Sequence, residues 1–360
     1  MTAERDGCIG LDPGWLAEAL ANDGVAPTGV RFDGFIGTGQ MSRNARFSVE
    51  WPAEAGAPAR PATVVVKVPS AEPATRAASF QHGIYERECE FYRSVAPLVQ
   101  VTAPTSLAVH VDADASDFAI VLEDLAGSEQ GDQFTEPTDR QLQLAIDQAA
   151  ALQAPVWGAV GGPAFAAYQS DPATRATRNA QAFPLFLAVV TERLGPDLDP
   201  DVVAMLDRFA GLVEPWVLAA SRPDTLVHGD FRPDNFMFGV AAGAPPLAVV
   251  DWQTLGIGPG VIDVAYLLGA AVSPERRRRS EDELLGRYRA ALAERGVDYP
   301  AEQCRADYAL GSAHGVVVAV TATAMADRTE RGDALFTLML NRHGRHVLDV
   351  GLLDRLEAEA

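Results

Sequence analysis

Residues 228–235 read His-Gly-Asp-Phe-Arg-Pro-Asp-Asn, and sixteen residues after Asn235 the apolar run Leu247–Val250 ends on Asp251. No other feature restricts the fold as strongly. An acid and an amide are held in one short loop, and a second acid closes a strand. Gly229 and Pro233 suit a tight turn there. Two short β-runs, Phe236–Phe238 and Leu247–Val250, are joined by the Gly/Ala/Pro segment Gly239–Pro246, which predicts a hairpin.

The spacing H-x-D-x4-N matches the catalytic loop of protein kinases, where the aspartate accepts the substrate hydroxyl proton and the asparagine binds a metal ion. The chemistry explains the residue types. Phosphoryl transfer needs a carboxylate facing the attacking hydroxyl and an amide oxygen turned to the metal that neutralises phosphate. Asp251 falls where that fold places its second metal-binding aspartate, with Trp252-Gln253 in place of the usual Phe-Gly. A hard cation such as Mg2+ takes oxygen ligands and keeps several waters, so Asn235, Asp251 and phosphate oxygens suffice.

Upstream, Lys67 is the only lysine in the chain, set in the β-branched run Thr63–Val68. A kinase strand carries such a lysine, which contacts the α/β-phosphates and pairs with a helix glutamate. Residues 80–95 read as that helix and offer Glu86, Glu88 and Glu90. The turn Gly37, Thr38, Gly39, Gln40, Met41, Ser42 could fold over phosphates through backbone N–H groups, although Ser42 replaces the third glycine of G-x-G-x-x-G. Rival motifs fail. No Gly-Lys pair exists, so there is no Walker A loop. Gly256, Gly258 and Gly260 have the wrong spacing for a dinucleotide fold, contain Pro259, and read as a turn before a helix.

The surrounding pattern is α+β. Asp12-Pro13 opens a short helix. Ala45, Phe47, Val49 and Trp51 alternate as a strand, and Phe118–Leu122 reads as another. From there the chain turns helical, with a capping box at Thr138 and Gln141 and a helical stretch Val202–Ala220 split at Pro215. Arg276–Arg279 reads as a solvated helical face, and His343 and His346 as surface residues. The net charge of −20 disfavours nucleic acid and favours solubility. Cys8, Cys89 and Cys304 are too scattered for a disulfide framework, which fits a cytoplasmic setting. Val316–Ala326, the longest apolar stretch, is too short for a membrane span and reads as a buried helix.

These segments resemble the aminoglycoside phosphotransferase and choline kinase-like superfamily, most closely its ecdysteroid kinase-like (CHK-type) members. The resemblance is carried by residues 37–42 (GTGQMS), 64–68 (VVVKV), 85–92 (YERECEFY), 121–125 (VLEDL), 226–238 (LVHGDFRPDNFMF) and 249–268 (VVDWQTLGIGPGVIDVAYLL). It implies a bilobal protein kinase-like fold, with a β-rich nucleotide-binding lobe over residues 1–125 and a helical lobe over 126–360. It further implies that Lys67 contacts ATP phosphates, Glu88 pairs with Lys67, and backbone groups near Glu123 and Leu125 hold the adenine. Asp230 would be the base, Asn235 and Asp251 the Mg2+ ligands, and Asp263 a brace for the loop. The implied activity is transfer of the γ-phosphate of ATP to a small-molecule hydroxyl; a non-catalytic nucleotide-binding protein on the same fold is the alternative. Gln153, where family members often carry histidine, and the Met41-Ser42 loop tip depart from the pattern.

Overall fold

The computed structural model describes residues 7–37, 41–53 and 60–359. Helix α1 (Pro13–Leu20) is capped by Asp12, whose carboxylate accepts from Gly14 N at 2.7 Å and Trp15 N at 3.1 Å. Strands β1 (Gly29–Ile36), β2 (Ser42–Glu50) and β3 (Thr63–Pro69) follow, then helices α2 (Pro73–Gln81) and α3 (Ile84–Glu90), then β4 (Ser106–Asp112) and β5 (Asp117–Glu123). The five strands form one antiparallel sheet in the order β1-β2-β3-β5-β4.

Strand alternation sorts side chains onto two faces. Ala45, Phe47, Val49, Val64, Val66, Val68, Ala119 and Val121 bury against Leu16 and Leu20 of α1. Phe118, Ile120 and Leu122 leave β5 on the other face and join Tyr85, Cys89, Phe91 and the helical region in a second core. Lys67 lies between Val66 and Val68, opposite Ile120, so β3 presents it to this second face. The single helix expected over 80–95 is interrupted. Gly83, at φ +65°, separates α2 from α3, and a π-turn over Phe91–Val95 follows.

The remainder is helical with short strands inserted: β6 (Ser128–Gln130), α4 (Asp139–Gln153), α5 (Pro172–Leu194), α6 (Pro200–Ala210), α7 (Val213–Ala219), β7 (Thr225–Val227), β8 (Phe236–Gly239), β9 (Leu247–Val249), β10 (Gly256–Gly258), α8 (Val261–Ala271), α9 (Pro274–Ala293), α10 (Ala301–Met325), α11 (Glu330–Asp349) and α12 (Leu352–Glu359). The capping box at Thr138 and Gln141 forms, and β8 pairs with β9 as the expected hairpin, widened by β6. Gly256–Gly258 is a strand paired with β7 rather than a turn. The break expected at Pro215 falls at Gly211-Leu212. Pro215 sits in the first turn of α7, where a backbone N–H has no helical acceptor to lose.

Two surface expectations are overturned. Arg277 is buried and pairs with Glu281 (2.6 Å) and Asp349, while Arg276 reaches Asp139 (2.6 Å) and Glu136 (3.2 Å). The start of α9 is wedged against other elements, so the arginine run is only partly solvated. His343 and His346 are both buried. Gly315 and Gly269 leave room for His343, since a Cβ at Gly315 would lie 2.1 Å from its ring. By length and composition α10 could cross a membrane; here it packs against α5, α8 and α11 and buries Tyr308, Ala313, Val316, Ala319 and Val320.

Candidate active site

Lys67, Glu88 and Asp251 meet where the sheet faces the helical region. The Lys67 ammonium lies 2.6 Å from Glu88 Oε2 and 2.9 Å from Asp251 Oδ1. Lys67 is 6% exposed and Glu88 1%. Burial alone would lower the lysine pKa, but the Asp251 and Glu88 carboxylates outweigh it and hold the ammonium charged. The choice among three glutamates is a matter of helix phase. In α3 the buried positions are Tyr85, Glu88 and Cys89; Glu86 and Glu90 stand at the margin.

Asp251 follows β9 with φ +69°, a left-handed conformation that a residue with a side chain rarely takes. Such strain costs on the order of 1–3 kcal/mol and persists where surroundings fix it. Here Trp252 provides the anchor. Its ring stacks on Phe91 at 3.8 Å and leans on His228 at 4.8 Å, and its backbone N–H reaches Glu88 Oε1 at 3.4 Å.

The loop of residues 228–235 is held from behind. Gly229 has φ +80°, and a Cβ there would come 2.6 Å from the Thr254 carbonyl oxygen, so glycine is required. Asp263 accepts from the backbone N–H of His228 (2.8 Å) and Gly229 (3.0 Å), the position expected of the brace. Gln153 Nε2 donates to Asp263 Oδ2 (3.0 Å) and Gly260 O (2.8 Å), so a neutral amide does the bridging at this position.

Within the loop, the Asp230 side chain is half-buried, 17% exposed. Its Oδ1 accepts from Arg232 Nε (2.9 Å) and the Tyr266 hydroxyl (2.7 Å), and its Oδ2 from Asn235 Nδ2 (2.8 Å). Burial pushes this carboxyl up, but Arg232, Tyr266, His228 and Asn235 together bring it below the usual aspartate range. It is ionised at neutral pH. Asn235 Nδ2 also donates to the Asp230 carbonyl at 2.8 Å, which turns the amide oxygen away; no described residue donates to that oxygen. The hairpin brings Asn235, before β8, and Asp251, after β9, to the same end. The available donors are therefore an amide oxygen and a carboxylate, a hard oxygen set that suits Mg2+ completed by phosphate and water. Among the described residues no cluster of three His, Cys, Asp or Glu side chains offers a different metal site.

Other expected residues are placed with less detail. Gly37 has φ +74°, the Met41 carbonyl accepts from the Tyr85 hydroxyl, and Ser42 is buried at the start of β2. Thr38, Gly39 and Gln40 lie outside the described residues. The Glu123 N–H is used by Thr105 O at 2.9 Å, and the Leu125 carbonyl accepts from Ser128 N at 2.9 Å; the Leu125 N–H donates to no described residue. Sequence reasoning missed Arg232 and Tyr266 as partners of Asp230. Arg232 stood inside the motif. Tyr266 stands three residues after Asp263, hence on the same face of α8.

Residues 44–306 match the model of the phosphotransferase enzyme family, APH. None of the curated proteins matches the chain. Among solved structures, a candidate aminoglycoside phosphotransferase of Ralstonia eutropha JMP134 aligns with a TM-score of 0.54 at 17% identity, covering 89% of this chain and 93% of that one. The microcompartment-associated aminopropanol kinase aligns with 0.53 at 17%, covering 90% and 94%. The GDP and kanamycin complex of APH(2″)-IIIa aligns with 0.50 at 16%, covering 92% and 94%. At these identities the likeness concerns the fold, a β-sheet N-terminal region joined to a helical C-terminal region as in protein kinases. With the family model spanning most of its length, the chain belongs to the phosphotransferase enzyme family.

Proposed function

We propose that this protein transfers the γ-phosphate of ATP to a hydroxyl of a small molecule. One observation carries the reading: Asp251 joins the buried Lys67–Glu88 pair in a single ion cluster, and the same hairpin sets Asp251 beside the Asp230–Asn235 loop. In this reading Lys67 steadies the ATP phosphates, and the Gly37–Ser42 turn covers them with backbone N–H groups. The segment at Glu123 and Leu125 receives the adenine, with the Leu125 N–H as the donor still open. Residues 1–125 and 126–360 act as the nucleotide-binding and acceptor-binding lobes, in a cytoplasmic protein.

Asp230, ionised, takes the proton of the acceptor hydroxyl while that oxygen bonds to the γ-phosphorus and ADP departs. Asn235 and Asp251 would hold Mg2+, which neutralises phosphate charge when bound. The chain itself positions the reactants and excludes competing geometries, the main source of rate in phosphoryl transfer. The GDP found with a structural neighbour supports a nucleotide site in this chain.

One observation favours the non-catalytic alternative. The Arg232 guanidinium already occupies Asp230, which weakens a base. ATP consumption separates the two readings. Panels of amino sugars, choline-like amines and hydrophobic alcohols should contain an acceptor that raises Mg2+-dependent ADP release above the rate with water. Nucleotide binding with no such acceptor, and no Mg2+-dependent turnover, would favour the alternative.

A further inference from the structure

We propose that Tyr266 is a positioning residue which, with Arg232, commits Oδ1 of Asp230 to fixed hydrogen bonds and leaves Oδ2 as the atom that takes the acceptor proton. The inference rests on the reading of Asp230 as the base. A carboxylate offers roughly four lone-pair directions, two on each oxygen. Oδ1 has both filled, by Arg232 Nε at 2.9 Å and the Tyr266 hydroxyl at 2.7 Å. Oδ2 has one filled, by Asn235 Nδ2 at 2.8 Å. The remaining direction belongs to Oδ2, on the side of the metal-binding amide.

Tyr266 does not belong to the loop. It comes from α8, whose Asp263 already holds the loop backbone at His228 and Gly229. One helix therefore fixes the loop twice, its backbone through Asp263 and its carboxylate through Tyr266 one turn later. The tyrosine is held in turn. Its ring stacks on His343 with centroids 5.1 Å apart and planes 15° apart, and meets the His314 ring edge-on at 5.4 Å. His314 Nε2 pairs with the Gly229 carbonyl at 2.7 Å. Gly269 and Gly315 make the space that lets His343 lie there. Burial, with Asp230 beside it, keeps the Tyr266 hydroxyl protonated and therefore a donor.

The charged and titratable groups around Asp230 are His228, Arg232 and Asp234 from the loop, Tyr266 from α8, and His314 from α10 through Gly229. Of these, Tyr266 can be altered by a single oxygen. Tyr266→Phe keeps the ring stack and removes the hydrogen bond. In protein labelled with 13C at aspartate carboxyls, with Asp230 assigned against Asp230→Asn, its carboxyl resonance at neutral pH should move in Tyr266→Phe, because one of the two hydrogen bonds to Oδ1 is lost. An unmoved resonance in the folded variant overturns the proposal.

A reciprocal measurement needs no tyrosine variant. Of the seven tyrosines, the ring Cζ resonance of Tyr266 should move in Asp230→Asn; an unchanged set of tyrosine resonances overturns the contact. In turnover, Tyr266→Phe should lower kcat about tenfold with the KM for ATP unchanged, whereas a loss confined to stability or to KM counts against positioning. Absence of ATP turnover in the unaltered protein would instead count against the kinase reading, and the two resonance measurements would still decide whether Tyr266 sets the carboxylate.

Discussion

Glu88→Gln removes one charge from the buried cluster and nearly preserves its shape. Lys67 then keeps Asp251 as its single anionic partner, where it had contacts of 2.6 and 2.9 Å to two. Unit charges about 4 Å apart attract by about 4 kcal/mol at an effective dielectric of about 20, and removing one partner of a buried pair costs about 3–5 kcal/mol. Asp251 still neutralises the lysine, so the loss belongs at the lower end, about 3 kcal/mol. For a chain of this length that corresponds to a fall in Tm of roughly 5 °C. A second effect is more specific. Freed from Glu88, Lys67 holds Asp251 more tightly and competes with the metal. Half-maximal ATP turnover should then need about tenfold more Mg2+, equivalent to about 1.4 kcal/mol. Thermal unfolding and a Mg2+ titration of ADP release measure both effects. A melt within about 1 °C of the unaltered protein, with the same Mg2+ dependence, would refute the idea that this cluster sets the site.

Two further predictions concern the scaffold. Gly229→Ala forces a side chain into a backbone at φ +80° with Thr254 O 2.6 Å from the new Cβ; stability should drop by at least about 1–2 kcal/mol, and turnover should fall further than Tm alone explains. Burial lowers His343 to about 3, so the unfolded chain binds a proton that the native protein refuses. Stability should therefore be full above the ordinary histidine range and fall by up to about 1.4 kcal/mol per pH unit as pH drops below about 6. His346, also depressed by burial, steepens this. Urea unfolding at several pH values checks the slope, and His343→Phe should reduce it.

Much of this arrangement was legible from residue patterns, for physical reasons. The alternation Ala45, Phe47, Val49 has one buried solution in a sheet, and Thr138 with Gln141 satisfies two helix-end groups locally. Lys67, the one lysine of the chain and set between valines, pointed to a specific role more than to an edge residue. What stayed hidden depends on contacts distant in sequence. The residue pattern alone left Glu86, Glu88 and Glu90 open; the resemblance picked Glu88, and the helix phase set after Gly83 is what buries it. Tyr266 reaches Asp230 because α8 packs behind the loop, which no local pattern states. His343 and His346 looked like polar surface because the space that buries them is made by glycines on two other helices.

The central claim is that Asp230 serves as the proton acceptor in transfer from ATP. The most direct test is 31P NMR of the reaction with the best acceptor from the panels, comparing the unaltered protein with Asp230→Asn. The account predicts a new phosphomonoester resonance, formed at a rate that drops by about 100-fold or more in the variant, with nucleotide binding retained. Equal rates of product formation in the two proteins would contradict it.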